Sequence, residues 1–328
     1  MKPPGHRHVA VAVSITVLAA LASAGCGSRV AATTGSSTPE KTNLTIAAVP
    51  TASSAGLYVA QRDGFFRQAG LNVKIVSVGS GADVTADLLN GSIDVLNGAY
   101  AGFIEAEVHG AGKFHILADG YAGAPSVDQI VVLPGSGLTT ARQLAGRTIA
   151  VNALNSVAAL LVSSTLQSQG VPLSQVHMVA MPFPAMPAAL KAHHIDAAYL
   201  AEPYLSQAET QIGGEALIDV NSGATKNFPI DGYVATVSWC QRYPKTAAAV
   251  AQAIDRGQAI ADINRPEVES VLHQYTTITT QTAGIMALGD FPTDVSAVHL
   301  QRVPDLMQSF GQLKHRFSIT AMTNPVGS

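Results

Sequence analysis

The sequence predicts an α/β protein of two lobes, each a mostly parallel sheet flanked by helices, with a cleft between them. Three observations lead there. Apolar strand-like runs alternate with helical runs from residue 44 to about 200. This order repeats, with Leu88, Ile93 and Asp94 recurring as Leu190, Ile195 and Asp196, 102 positions later. The final third carries helical periodicity and no strand-like material.

The elements follow in order. Leu44 to Val49 is a buried-strand run, and Ser53 or Ser54 can cap the helix after it. Asp63-Gly64 suits that helix's end. Val73 to Val78 alternates as a second strand. Val84 to Asn90 is a short helix closed by Gly91, and Ile93 to Leu96 is a third strand. In the second copy, Thr148 to Val151 is a strand, and Asn155-Ser156 starts a helix ending at Gly170. Val176 to Met181 is a strand, Ala185 to Ala192 a helix, and Ile195 to Tyr199 a strand. Beyond Pro244, helical runs cover Lys245 to Asn264, Glu267 to Tyr275 and Leu300 to Phe310.

Composition excludes several classes. Of 328 residues, 47% are hydrophobic and 12% charged, too apolar for a disordered chain. A net charge of −3 gives no basic field for nucleic acid. The two cysteines, Cys26 and Cys240, make no disulfide framework. The N-terminus stands apart. Lys2 and Arg7 precede an apolar run from Val9 to Ala22, the length of a secretory h-region. Ser23-Ala24-Gly25 then leads into Cys26, which resembles a bacterial lipoprotein lipobox, with Ser23 where Leu is commonest. On that reading residues 1–25 are removed and Cys26 carries the lipid, two acyl chains sufficing for stable anchoring. The alternative is an ordinary cleaved secretory peptide. Residues 26–42, rich in Ser, Thr, Gly and Ala, read as a flexible tether.

The segments Leu57 to Val73, Leu89 to Val95, Ala201-Glu202-Pro203-Tyr204 and Leu300 to Gly311 occur in an order that resembles one family. It comprises the solute-binding proteins of ABC importers for nitrate, sulfonates, taurine and thiamine-precursor pyrimidines. The resemblance covers Leu44 to about Asn324. It implies a periplasmic-binding-protein fold whose lobes, joined by two strand crossings, close on a ligand by hinge motion. The crossings are expected near Val127 to Ile130 and Thr236 to Trp239. Lobe 1 then comprises 43–127 and 238–328, and lobe 2 comprises 128–237. The implied partners are a small-molecule ligand and a membrane permease with its separate ATPase. The chain is expected to act extracytoplasmically as a lipid-anchored monomer, without cofactor and not as an enzyme. The competing readings are a secreted enzyme of the same fold, such as a pyrimidine synthase or a lyase, and a ligand sensor for a membrane receptor.

Candidate ligand contacts lie in loops after strands, where helix N-termini offer free N–H groups. Thr51, Ser53 and Ser54 follow the first strand. Asn97, Gly98 and Tyr100 follow the third. Asn152, Asn155 and Ser156 are the second-lobe counterpart of the first loop, and Glu202 and Tyr204 that of the third. Asp231 and Tyr233 precede the return crossing. Ser53, Ser54, Asn155 and Ser156 can equally be helix caps, and Tyr100 and Tyr204 core residues. Glu202, after an apolar strand, needs a donor, either a ligand N–H or an Arg. These segments hold carboxylates and no Lys or Arg, which suits a neutral or cationic nitrogenous solute such as a pyrimidine better than an anion. No metal set is expected: adjacent His193 and His194 point apart. No phosphate-loop motif or Gly-x-Ser-x-Gly occurs, and Cys240 reads as a buried small hydrophobe.

Overall fold

The computed structural model describes residues 38–324. The predicted leader, Cys26 and most of the tether lie outside them. Ten strands form two five-stranded sheets. In chain order they are β1 (Asn43–Ala48), β2 (Asn72–Ser77), β3 (Val95–Ala99), β4 (Phe114–Ala122), β5 (Asp128–Val132), β6 (Thr148–Val151), β7 (His177–Ala180), β8 (Ala197–Ala201), β9 (Glu215–Asp219) and β10 (Pro229–Thr236). One sheet has the order β2-β1-β3-β10-β4 and the other β7-β6-β8-β5-β9. In the first, β1 pairs in parallel with β2 and β3, whereas β10 is antiparallel to β3 and β4. In the second, β6 pairs in parallel with β7 and β8, and β5 is antiparallel to β8 and β9. Each sheet is therefore mostly parallel, with one opposed strand inserted after its third.

The duplication has a physical core. Asp94 and Asp196 stand just before the third strand of their lobes. Asp94 Oδ2 accepts from Thr45 N at 2.9 Å, and Asp94 N donates to Thr45 O at 2.9 Å. Asp196 Oδ2 accepts from Thr148 N at 2.8 Å, and Asp196 N donates to Thr148 O at 2.9 Å. Each aspartate thus ties its third strand to its first. Leu88, Ile93, Leu190 and Ile195 around them are buried.

Caps fall where the sequence places them, except that Ser53 and Ser54 make no cap hydrogen bond and turn their hydroxyls to Asp231, Val49 and Asn97 instead. Gly64 and Gly91 adopt the left-handed backbone conformation at φ 73° and 82°. Ser156 Oγ accepts from Ala159 N at the start of the helix Val157–Ser168. The predicted third strands each lie two residues too early, because Ile93-Asp94 and Ile195-Asp196 form the turn that enters the strand.

Two boundaries differ from expectation. The return crossing, expected at Thr236 to Trp239, comes earlier: Pro229 to Thr236 already pairs with β3 and β4. The chain leaves the second sheet after Asp219 and has joined the first by Pro229. Tyr233, Val234 and Ala235 are buried there, and Val237–Arg242 is a helix capped by Thr236. Lobe 2 thus ends near residue 220 rather than 237. The first crossing occupies 123–127, directly before β5. The tether also ends sooner than residue 42. The Glu40 carboxylate accepts from Lys245 N and Thr246 N, the exposed amides of the helix Pro244–Ile263. Lys41 pairs with Asp94.

The C-terminal helices return to lobe 1 for the most part. Pro244–Ile263 packs on Ala55–Arg62. Their backbones approach so closely that a Cβ at Gly257 would collide with the Gly56 carbonyl. The helix Thr280–Ile285 instead touches Tyr204–Ile212 of lobe 2. The segment around it therefore straps the two lobes together.

The two aspartates differ in burial, and this yields a prediction. Asp94 is buried and also accepts from Trp239 Nε1 at 2.8 Å. Asp196 is half-exposed, with Arg147 at 3.3 Å. Asp94→Ala leaves buried N–H groups without acceptors and is expected to cost about 3 kcal/mol. Asp196→Ala is expected to cost about half as much. Urea unfolding of both variants measures the difference, and equal costs contradict the assignment.

Candidate functional site

The carboxyl ends of β1, β3, β6 and β8 open onto one cavity at the seam between the lobes. This is where open α/β sheets leave room for small ligands. The cavity holds about 790 Å³ of atom-free space, its open mouth included. The opposed strands β5 and β10 present their starting ends there, bringing Asp128 and Asp231 to the wall.

Eight predicted residues line this cavity. From lobe 1 come Thr51, Ser53, Gly98 and Asp231; from lobe 2 come Asn152, Asn155, Ser156 and Glu202. Ser53 Oγ donates to Asp231 Oδ2 at 2.7 Å. Thr51 Oγ1 lies 2.9 Å from Ser53 Oγ. Asn155 is exposed at the rim. Ser156 has both roles considered for it, a helix cap and a wall of the cavity.

The other five predicted residues sit behind the wall. Ser54 Oγ donates to Val49 O at 2.7 Å and lies 3.1 Å from Asn97 Oδ1. Asn97 Nδ2 in turn donates to Asp231 Oδ1 at 3.2 Å. Tyr100 is buried beneath β10, where a side chain on Gly232 would collide with its hydroxyl, and it donates to Asp119 Oδ1 at 2.5 Å. Tyr204 is buried and stacks on Phe183 at 5.7 Å between ring centroids. Tyr233 belongs to the lobe 1 core.

Sequence reasoning missed part of the wall. Tyr121, Asp128, Phe183 and Tyr199 line the cavity, as do Ser80 and Phe103. Asp128 opens the apolar run of β5, and a lone charge at the head of a buried strand was the available signal. Tyr199 lies 102 positions after Asn97, so the duplication also pointed to it. Phe183 and Tyr121 carried no such signal.

Glu202 has donors within the protein, and among the described residues they come from Ser206 and Ala287 rather than from an Arg. Its carboxylate accepts from Ser206 Oγ at 2.8 Å, Ser206 N at 3.1 Å and Ala287 N at 3.1 Å. Its carbonyl accepts from Ala52 N at 2.8 Å. Ala52 belongs to lobe 1 and Ala287 to the strap, so Glu202 fastens lobe 2 across the seam while also facing the cavity.

The electrostatics are one-sided. Asp128, Glu202 and Asp231 face the cavity, and no Lys, Arg or His occurs among the described residues lining it. Burial disfavours the charged forms. It pushes Asp231 up to about 6, against hydrogen bonds from Ser53 and Asn97, with Asp119 and Asp128 adding repulsion. Asp128 is likewise pushed to about 6 by burial, against hydrogen bonds with Asn221 and Tyr199. Glu202 rises to about 7, again through burial.

With this geometry established, likeness to known proteins can be weighed. Residues 37–275 match the NMT1-like family, and the chain belongs to it. Among solved structures, the chain is similar to the alkanesulfonate-binding protein SsuA from Xanthomonas axonopodis pv. citri bound to MOPS. The TM-score is 0.72 at 17% identity, covering 87% of this chain and 98% of that one. It is similar to the periplasmic nitrate-binding protein NrtA from Synechocystis PCC 6803, with TM-score 0.71 and 17% identity over 84% and 83% of the two chains. It is also similar to the desulfurization enzyme DSZB, with TM-score 0.67 and 14% identity over 87% and 97%. No curated protein matches it in sequence. At such identities the likeness establishes the periplasmic-binding-protein fold.

The raised carboxylates set a pH dependence for the ligand-free protein. Their folded-state values exceed ordinary ones near 4, so the folded state holds protons that the unfolded chain has lost. Their contribution is fully present below about pH 4 and is lost as pH rises through 6 to 7. A two-unit shift amounts to about 3 kcal/mol for a group taken alone. Denaturant midpoints are therefore expected to fall between pH 5 and pH 8, and more shallowly in Asp231→Asn. A midpoint rising over that range contradicts the assignment.

Proposed function

We propose that this chain is an extracytoplasmic solute-binding protein, anchored by lipid at Cys26, that delivers a small molecule to an ABC permease with a separate ATPase. One observation supports this above the others: a cavity at the seam of two lobes, with side chains from both on its wall. A solute there touches lobe 1 at Thr51, Ser53, Gly98 and Asp231, and lobe 2 at Asn152, Asn155, Ser156 and Glu202. A ligand bridging both lobes favours the closed clamp over the open one by its differential affinity for the two. The permease then reads the closed form. A monomer suffices for this, since one chain supplies both walls.

The solute class follows from charge. Two structural neighbours are an alkanesulfonate-binding and a nitrate-binding protein. In this cleft three carboxylates face the cavity and no cation lines it, which is unfavourable for either anion. A solute rich in N–H groups, such as an aminopyrimidine of the thiamine-salvage type, suits the wall better. DSZB brings the enzyme reading with the fold. Nothing in the cleft favours it. Cys240 lies in the lobe 1 core, with burial pushing its thiol up to about 12, and no Cys or His is among the described lining residues.

Titration calorimetry of the purified protein with taurine, an alkanesulfonate, nitrate and an aminopyrimidine tests the proposal. The aminopyrimidine is expected to bind and to raise the melting temperature. At a hundredfold excess over Kd the stabilisation is about 2.7 kcal/mol. Tight sulfonate binding with no pyrimidine response overturns the solute class. Chemical turnover of a bound solute overturns the binding-protein role.

A further inference from the structure

Asp128 and Asp231 occupy corresponding positions in the two halves of the duplication. β5 pairs with β8 so that Asp128 stands opposite Ala201. β10 pairs with β3 so that Asp231 stands opposite Ala99. Ala99 and Ala201 are themselves duplicates, 102 positions apart, and each ends its lobe's third strand. The support of the two acids corresponds as well. Asn97 and Tyr199, two residues before those alanines, each hydrogen-bond to the carboxylate of their own lobe. Asn221 Nδ2 adds a further donor to Asp128 Oδ2 at 3.0 Å. Both aspartates are more than nine-tenths buried, and both line the cavity.

The fold thus brings one carboxylate from each lobe to the same enclosed space. The surrounding walls are aromatic: Tyr121, Tyr199, Phe103 and Phe183. Ring faces attract cations, and more strongly where water is excluded. Two like charges facing one cavity repel one another unless something positive stands between them. Among the described residues, none that lines the cavity is Lys, Arg or His. Glu202 differs from the pair in that one of its donors, Ala287 N, comes from the strap across the seam.

We infer that the solute of this cleft is an organic cation of amidinium, guanidinium or ammonium type, seated between Asp128 of one lobe and Asp231 of the other. This rests on the proposed solute-binding role and narrows it. A planar amidinium or guanidinium presents N–H groups on opposite edges, which matches acids arriving from opposite lobes, and its face suits the aromatic walls. The pair also serves closure. In the open clamp each acid is solvated separately, and only closure with the cation in place brings both onto it.

The test uses the purified protein and charge-matched pairs of solutes. Benzamidinium is set against benzamide, an alkylguanidinium against the alkylurea, and an alkylammonium against the alkyl alcohol. Binding is followed by calorimetry and by shift in melting temperature, with an alkanesulfonate alongside. At least one cation is expected to bind at least tenfold more tightly than its neutral partner. Asp128→Asn and Asp231→Asn, which keep the shape of the side chain, are each expected to weaken that cation at least tenfold. Circular dichroism checks that both variants fold, and the wild-type pairs decide the matter if either does not. Equal binding of cation and neutral partner, or unchanged affinity in both Asn variants, overturns the inference. A neutral or anionic solute that alone closes the lobes leaves the solute-binding role standing and removes the cation. If no solute of any charge binds, both fail.

Discussion

Each sheet accepts one strand that arrives from the other lobe and runs against its neighbours. β5 follows the first crossing and β10 the second, and each inserts beside a third strand. Much of the functional geometry descends from this arrangement. Parallel strands send their carboxyl ends to the cleft with loops and helix starts. An opposed strand sends its amino end there instead, so its first side chains reach the cavity from rigid, paired backbone. Asp128 and Asp231 are held in this way. A loop aspartate could swing away from a neighbouring negative charge; these two have little freedom to do so. The same insertion makes each crossing short, so both crossings lie close to the cavity.

The duplicated halves have diverged in how firmly they are held. Asp94 is buried with Trp239 and Lys41 as extra partners, whereas Asp196 keeps only an exposed Arg147 beyond its backbone bonds. Trp239 belongs to the returning C-terminal third, which covers lobe 1. The divergence therefore follows from connectivity: one half receives an additional helical layer and the other does not. The strap near Ala287 reaches across the seam to Glu202. A carboxylate otherwise free to bind solute becomes a fastener between lobes. That use accounts for its burial without any cation.

Much of this was legible in the residues, and the gaps have physical reasons. The alternation of strands and helices in each copy, helix caps at Ser156 and Gly91, and the doubling of Leu88, Ile93 and Asp94 follow from periodicity and local chemistry. The return crossing was misplaced because Pro229 to Thr236, Asp231 apart, is largely apolar, and such a run does not disclose which sheet it joins. The need of Glu202 for a donor was readable. Its donor Ser206 lies one helical turn away, whereas Ala287 is 85 residues distant and left no local trace. Tyr100 and Tyr233 read as ligand-facing because they follow or precede exposed loops. Tyr233 lies two residues further along β10 than Asp231, within the lobe 1 core, and Tyr100, at the start of a helix, packs beneath Gly232 of β10. Asp128 was passed over because it begins a strand that otherwise reads as core.

Consistency between levels explains why that last omission matters. A sequence that specifies one fold places apolar residues at buried strand positions, and exceptions concentrate where function requires them. Asp128 and Asp231 are such exceptions, and they occur at the same register in both halves. Each is only partly satisfied: Asn97 and Ser53 serve one, Asn221 and Tyr199 the other. Apolar residues at both sites would relieve the cost of burying charge without altering either sheet. The acids weaken the empty clamp above neutral pH, although each also accepts hydrogen bonds from buried neighbours, Ser53 and Asn97 at Asp231 and Asn221 at Asp128. What their arrangement does provide is a negative wall on both sides of one cavity. A positive solute entering it gains from both lobes at once, and its gain is largest when the lobes are closed.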